Sequence, residues 1–357
     1  MKKISGIIVV LLVFGIILYI AIRSDNSGIN EAAMSEDIDR EQIIDQPVTD
    51  RNWSSVSPEP IILNPDIEDS LFNAMILRSY DNFIYVGDYA GMKIRRFLPD
   101  GTYVNEIGYG TGQGPGEFSQ FMDFFVSGDT ISVLDLRTFL VSQFDINENV
   151  YLHAFEVRNH PMRLAGLRNQ IVIHSIGGEL LFSAYDKSGT ELGEFGNIIE
   201  GQMRNPLSVQ GELIPNDESD GFIFVPAFAG YLFYFTGDGS LEKIIRIIDQ
   251  REFQESEERV SGSTRVVGVP DSDRKVEGIS KYNGMLYILT LKKSSEESAN
   301  NGSGSLDTII DIYELDTGIY QYSLSIPETM RALTVTENRL FLIRDYDRKV
   351  IAYDLDT

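Results

Sequence analysis

The feature that most constrains this chain is a repeat. Six short runs rich in β-branched and aromatic residues recur along it: Ile84–Val86, Ile131–Leu134, Ile171–Ile173, Phe222–Val225, Leu286–Leu289 and Leu340–Ile343. Each reads as a strand buried on both faces. An aromatic residue and a turn follow each run, as in Phe97-Leu98-Pro99-Asp100-Gly101 and Phe235-Thr236-Gly237-Asp238-Gly239. The distance from the first apolar residue to the aromatic is 13, 13, 14, 13, 27 and 13 residues. The outlier holds Lys292 to Ser305, 14 almost entirely polar residues, and removing this insertion restores 13.

The Asp-Gly, Ser-Gly and Asp-Thr-Gly tips are hairpin chemistry. A further strand stands before each run: Ala74–Leu77, Asp123–Val126, Leu164–Leu167, Leu207–Val209, Val276–Ile279 and Ala332–Val335. Four strands per unit, with units starting 47, 40, 51, 64 and 54 residues apart, are the signature of propeller blades. The fold class expected is therefore all-β, a six-bladed β-propeller of four-stranded blades over residues 58–357. Beyond a short helix near Asp249 to Arg259, no helical periodicity interrupts it. The sixth unit ends before a fourth strand, so Pro60–Leu63 is expected to supply it and close the ring.

Ile4 to Ile22 form 19 uncharged residues behind Lys2 and Lys3. At about 1.5 Å per residue they span roughly 28 Å, enough to cross a bilayer once. The charge asymmetry keeps the N-terminus cytoplasmic and exports the rest. Residues 1–23 are thus expected to be a transmembrane signal anchor, with a cleaved signal peptide as the rival reading. Residues 24–57 are expected to be a flexible acidic linker, since Arg23 to Asp50 hold eight acids against two bases.

Net charge is 30 − 54 = −24, which leaves no footprint for nucleic acid. Zero cysteines exclude disulfides, thiolate metal sites and cysteine nucleophiles. His153, His160 and His174 share no metal-binding spacing, and no nucleophile-elbow motif occurs. Asn216 to Gly221 resembles half of a calcium loop, but Ala227 stands where a bidentate Glu belongs. Calcium is therefore an adventitious prospect, and no other cofactor is expected.

The stretch from Ile84-Tyr85-Val86-Gly87-Asp88 through Asp100-Gly101 to Gly108-Tyr109-Gly110-Thr111-Gly112-Gln113-Gly114-Pro115-Gly116-Glu117-Phe118 resembles an NHL repeat. The likeness is close in this unit and degenerate in the other five. It implies the six-bladed NHL/TolB-like class, which includes scaffolds, binding modules and enzymes. The glycine-rich link itself is read as an interblade turn rather than a phosphate loop.

Basic residues recur where links approach the innermost strands: Arg163, Arg204, Lys275 and Arg331. Because those strands run in one direction, the four are expected to meet at one mouth of the channel. A basic mouth would take a small anionic ligand or an acidic protein segment. The function expected is a membrane-anchored, extracytoplasmic, monomeric binding or scaffolding propeller. A metal-dependent, lactonase-like hydrolase or lyase at the same mouth is the alternative.

Overall fold

The computed structural model describes residues 33–56, 61–63, 73–216, 220–255, 257–261, 264–268, 274–293, 306–337 and 339–355. Six antiparallel four-stranded units follow one another, with inner strands Ala74–Tyr80, Phe121–Ser127, His160–Gly166, Gly211–Asn216, Arg274–Tyr282 and Met330–Thr336. Each inner strand lies beside those of the two flanking blades, and the last lies beside the first. The ring is closed and has six blades.

Six apolar clusters hold it together, one between each pair of neighbouring blades. Alternation along a single strand explains why its sequence is apolar throughout. In the first blade Ile84 and Val86 pack towards blade 6, while Tyr85 between them packs towards blade 2. Both faces of the strand are core.

The sixth blade takes its outer strand from the other end of the chain. Ile61–Leu63 pairs antiparallel with Val350, Ile351 and Ala352, as the missing fourth strand required. Pro60 lies outside the described residues.

The acidic segment departs from the flexible linker expected of it. From Ala33 to Val56 it runs against the rim of the propeller. Ser35 N–H donates to the Ile198 carbonyl (2.8 Å), and Met34 and Ile38 join the apolar cluster of blades 3 and 4. Ile43–Ile44 adds a parallel fifth strand to blade 4, and Trp53–Ser54 does the same for blade 5. Between them the Gln46 amide donates to the carbonyls of Arg246 (3.0 Å) and Gly318 (2.9 Å) and accepts from Tyr320 N–H (2.8 Å). Arg51 meets Asp311 through two 2.8 Å bonds and Asp249 at 3.0 Å. Composition marked the segment as polar, and its polar groups are spent on the open edges of two blades.

Three local expectations are corrected. Leu207–Val209 is a turn, with Gln210 N–H bonded to the Leu207 carbonyl, and the inner strand of blade 4 starts at Gly211. No helix forms near Asp249 to Arg259, where irregular chain leads into a hairpin of Glu257–Ser261 with Thr264–Gly268. β-Branched residues at Val260, Thr264, Val266 and Val267 favour strands there. Lys292 and Lys293 of the polar insertion extend a strand, paired with Asp307 and Leu306, while residues 294–305 lie outside the described residues.

Among the described residues the only helical elements are two 3-10 turns, and no helix is long and apolar enough to cross a membrane. Residues 1–32, including the expected anchor, lie outside the described residues.

Candidate functional site

Every blade begins with its inner strand, so all six inner strands start at one face, here called the upper face. Five of them carry a β-bulge near that start. The register shifts between Ala74 and Ile76, Phe121 and Asp123, Pro161 and Arg163, Val276 and Gly278, and Met330 and Ala332. The extra residues are Met75, Met122, Met162, Glu277 and Arg331, all half-buried. A bulge re-aims a side chain out of the ladder, here beside the channel. Blades 1 to 3 carry a methionine at this register, Met75 packed on the cluster of blades 1 and 2, Met122 on that of blades 2 and 3, and Met162 lining a small cavity, while blades 5 and 6 carry charges there.

Beneath this layer an ion-pair network crosses the channel. Arg78 of blade 1 meets Asp123 of blade 2 at 2.6 Å and Glu212 of blade 4 at 3.9 Å. Arg163 of blade 3 binds Glu212 through Nε (2.9 Å) and Nη2 (2.6 Å), and Asp123 also accepts from Leu164 N–H (3.2 Å). Blades 1 and 4 stand opposite in a ring of six, so Arg78 reaches across the axis. Burial opposes ionisation throughout, but Glu212 outweighs it at Arg163, whose pKa is raised, and Arg163 outweighs it at Glu212, whose pKa is lowered. At Asp123 burial wins over Arg78 and Arg163, and the carboxyl is pushed up.

The lower end is held by bonds between neighbouring inner strands. Thr334 donates to Ser79 (2.9 Å), Ser79 to the Val335 carbonyl (3.0 Å), and Lys281 to the Pro215 carbonyl (2.8 Å). These bonds tie the inner strands of blades 1 and 6 and of blades 4 and 5.

Of the four basic residues expected at the mouth, two share a cavity. Arg163 and Lys275 line a space of about 50 Å³ with Met162, Glu212 and Glu277. Arg331 stands on blade 6 with Arg348, both on Asp345, and Arg348 reaches the Met75 sulfur at 3.4 Å. Arg204 lies in the 3-10 turn Gln202–Arg204 of the blade 3–4 link, off the inner strands. The apparent repeat of basic positions was therefore not a structural equivalence. Arg331 is a bulge residue, Arg163 follows one, and Lys275 precedes one by two.

The expected excess of positive charge is also corrected. Arg163 is matched by Glu212, Arg331 by Asp345, and Lys275 by Glu277 at 2.8 Å. Burying a guanidinium at the top of a crowded channel requires a carboxylate beside it, and each acid comes from the same or the next blade.

Sequence reasoning missed the methionines. Their signal was present in Ala74-Met75-Ile76, Phe121-Met122-Asp123 and Pro161-Met162-Arg163, but the bulges that align them are invisible before strands are paired. It also missed Phe228, a half-buried ring at the top of blade 4, 6.0 Å from the Lys275 ammonium.

The histidines stay apart. His174 is fully buried, with Nε2 on the Val209 carbonyl (2.9 Å), and burial pushes its pKa down to about 4. His153 is on an outer strand, and His160 faces Phe139. Among the described residues no three His, Asp or Glu side chains form a group that could hold a metal ion. Part of the Asn216–Gly221 segment lies outside the described residues. The glycine-rich link is a turn: Gly108 (φ +97°) and Gly116 (φ +81°) sit where only glycine is at ease, and the Glu117 carboxylate accepts from Gly114 N–H at 2.8 Å. What this arrangement offers chemically is a small, charge-balanced recess flanked by Met162.

Comparison with known proteins bears on the fold. The family DUF5128, described as a 6-bladed beta-propeller, matches residues 68–199, the first three blades. No curated protein matches the chain. Among solved structures, a Bacteroides fragilis protein described as exported is 12% identical with a TM-score of 0.53, covering 88% of this chain and 99% of its own. A DUF4221 family member from Bacteroides vulgatus is 9% identical (TM-score 0.59, covering 83% and 97%). Virginiamycin B lyase from Staphylococcus aureus is 10% identical (TM-score 0.50, covering 84% and 99%). At such identities the likeness shows the fold alone: this chain carries a six-bladed β-propeller.

Proposed function

We propose that this chain is a membrane-anchored, extracytoplasmic binding or scaffolding propeller that docks a protein segment at the upper mouth of its channel. The observation that carries this reading is Met162, the half-buried bulge residue of blade 3, which lines the mouth cavity with Arg163 and Lys275, the latter lying beside the Phe228 ring. Methionine, aromatic rings and arginine are the residues enriched at protein interfaces, and methionine adapts to irregular apolar partners. A small anionic ligand is served less well. The space beside Arg163 and Lys275 is about 50 Å³, and both cations already have carboxylates.

The exported neighbour and the uncharged Ile4–Ile22 stretch support the address. The glycine geometry of the first link supports kinship with NHL-type blades within the six-bladed class.

The test is retention of partners by tagged full-length protein purified from its own membranes. A Met162→Glu variant should fold and lose its bound partner, while Val104→Glu on an outer strand keeps it. Retention by the folded Met162 variant would overturn the reading, as would a stoichiometric divalent ion at the mouth accompanied by turnover. The arginines make poor probes, because removing Arg163 strands Glu212 in the channel and unsettles the fold.

A further inference from the structure

The rim segment shows what an open blade edge of this propeller accepts. On blade 4, Ile43 and Ile44 lie parallel beside Ile244 and Ile245, and the next residue, Asp45, meets Arg246 at 3.0 Å. On blade 5, Trp53 and Ser54 lie beside Ser323 and Leu324, and Ser323 N–H donates outward to the Asn52 carbonyl (2.8 Å). Each outer strand carries a bulge, at Glu242 and Gln321, and both additions begin two residues beyond it.

Three outer strands, Tyr103–Ile107, Val150–Glu156 and Glu191–Phe195, have no added strand among the described residues. Their bulges fall at Val104, Leu152 and Leu192, so the positions equivalent to Ile244 and Ser323 are Glu106, Ala154 and Glu194. A charge on an edge strand guards it against pairing, and blades 1 and 3 have one there. Blade 2 has Ala154 followed by Phe155, in the longest of the three strands, without lysine, proline or glycine.

The lower part of this edge is occupied, since the Tyr109 hydroxyl accepts from Tyr151 N–H (3.0 Å). Above it Leu152 is 49% exposed. Val157 N–H bonds inward to the Phe139 carbonyl (2.9 Å), and strand alternation therefore turns the Ala154 and Glu156 amides outward. The strand rises to the upper face, where Glu156 is exposed and has no ion pair among the described residues. With Thr138, Phe139, Val157 and Asn159 it lines an open recess of about 450 Å³. Glu156 stands four residues beyond its bulge, as Arg246 does on blade 4, so the charge at this register is reversed.

We propose that the outer edge of blade 2 takes a parallel fifth strand from another protein, an extended segment of two apolar residues followed by Lys or Arg. Main-chain bonds to Ala154 and Glu156 hold it, and the recess beside Phe139 receives its cation. The choice of a base follows from charge: Asp45 answers Arg246, and a cation answers Glu156. The same rule excludes Ile43-Ile44-Asp45 of a second copy, which would bring an acid to an acid. A net charge of −24 favours the approach of a basic segment. This surface is on the rim, apart from the channel mouth.

Because the chain has no cysteine, a thiol placed beside the edge reports on that edge alone. Full-length protein with Leu152→Cys is equilibrated in a glutathione redox buffer with the peptide Cys-Gln-Ile-Ile-Lys-Gln, or with the same peptide carrying Asp in place of Lys. The peptides copy residues 41–46 with cysteine for Glu41, which the blade 4 register sets opposite Leu152. The lysine peptide should be captured about three- to tenfold better than the aspartate peptide, and adding Glu156→Lys should reverse the order. Ala154→Pro, which removes an outward amide and spares the inner ladder, should lower capture of both. Equal capture of the two peptides, or an order that Glu156→Lys leaves unchanged, overturns the proposal. A disulfide-linked dimer in place of peptide capture also overturns it, by making a second copy the occupant. If Ala154→Pro does not fold, the Glu156→Lys reversal decides alone.

Discussion

Replacing Arg51 with methionine tests whether the acidic segment is part of the fold. Its guanidinium binds Asp311 twice at 2.8 Å and Asp249 at 3.0 Å, and both carboxylates are essentially buried, at 1% and 0% side-chain exposure. Burial weighs against the Arg51 charge, yet Asp311 holds its pKa above the ordinary value. Methionine keeps the stem and removes the cation, leaving two buried carboxylates without it. Breaking a buried pair from one side costs about 3–5 kcal/mol, whereas a substitution in a solvated linker stays within about 0.5 kcal/mol. For a domain of this size about 1 kcal/mol moves the melting temperature by roughly 2 °C, so a fall of about 6–10 °C is expected. Adding Asp311→Asn should recover part of it, because one uncompensated charge is removed. The assay is thermal denaturation followed by circular dichroism. A fall below about 1 °C in the single variant would show that the segment is a free linker.

Three further outcomes follow from the same geometry. Leu63→Pro in the closing strand deletes a ladder donor opposite Val350, and should cost about 1–3 kcal/mol and promote aggregation through the bared edge of blade 6; an unchanged melting curve would contradict the closure. His174 has a native pKa of about 4 against 6.5 unfolded, so on acidification the unfolded state takes up the proton first. Stability should fall by about 3 kcal/mol as pH drops from 6.5 to 4, with a shallower fall in His174→Gln, and equal slopes in denaturant titrations would refute the assignment. Gly116→Ala places a Cβ 2.4 Å from the Tyr109 ring at a φ of +81°, and a melting temperature equal to wild type would show that the link is not held as described.

The blades were legible because a strand packed on both faces leaves a mark in a single sequence. Ile84-Tyr85-Val86 must be apolar at every position, since its odd and even residues feed different interblade clusters. The closing strand was legible because Pro60-Ile61-Ile62-Leu63 is an apolar run standing before the first unit while the sixth unit lacks a fourth strand. The rim segment was not, because its contacts are backbone ladders and polar bridges, and Gln46 or Arg51 reads identically in solvent or across two blades. The mouth was half legible. Arg163 and Lys275 do share a cavity, but their carboxylate partners sit 49 and 2 residues away, and nothing local separates a paired arginine from a waiting one. The methionine register depends on bulges, which become visible only after strands are paired. Blade 4 misled for a related reason: Val209 is buried like a strand residue, yet it serves a turn whose carbonyl receives His174.

The claim that the upper mouth docks a protein segment is tested most directly by site-specific photo-cross-linking in intact cells. A photoreactive residue replaces Met162 at the mouth or, separately, Lys187 on the lower face of the same blade. A discrete adduct with another protein at Met162, absent at Lys187, is the predicted result. No adduct at Met162, or the same adducts from both positions, would contradict it.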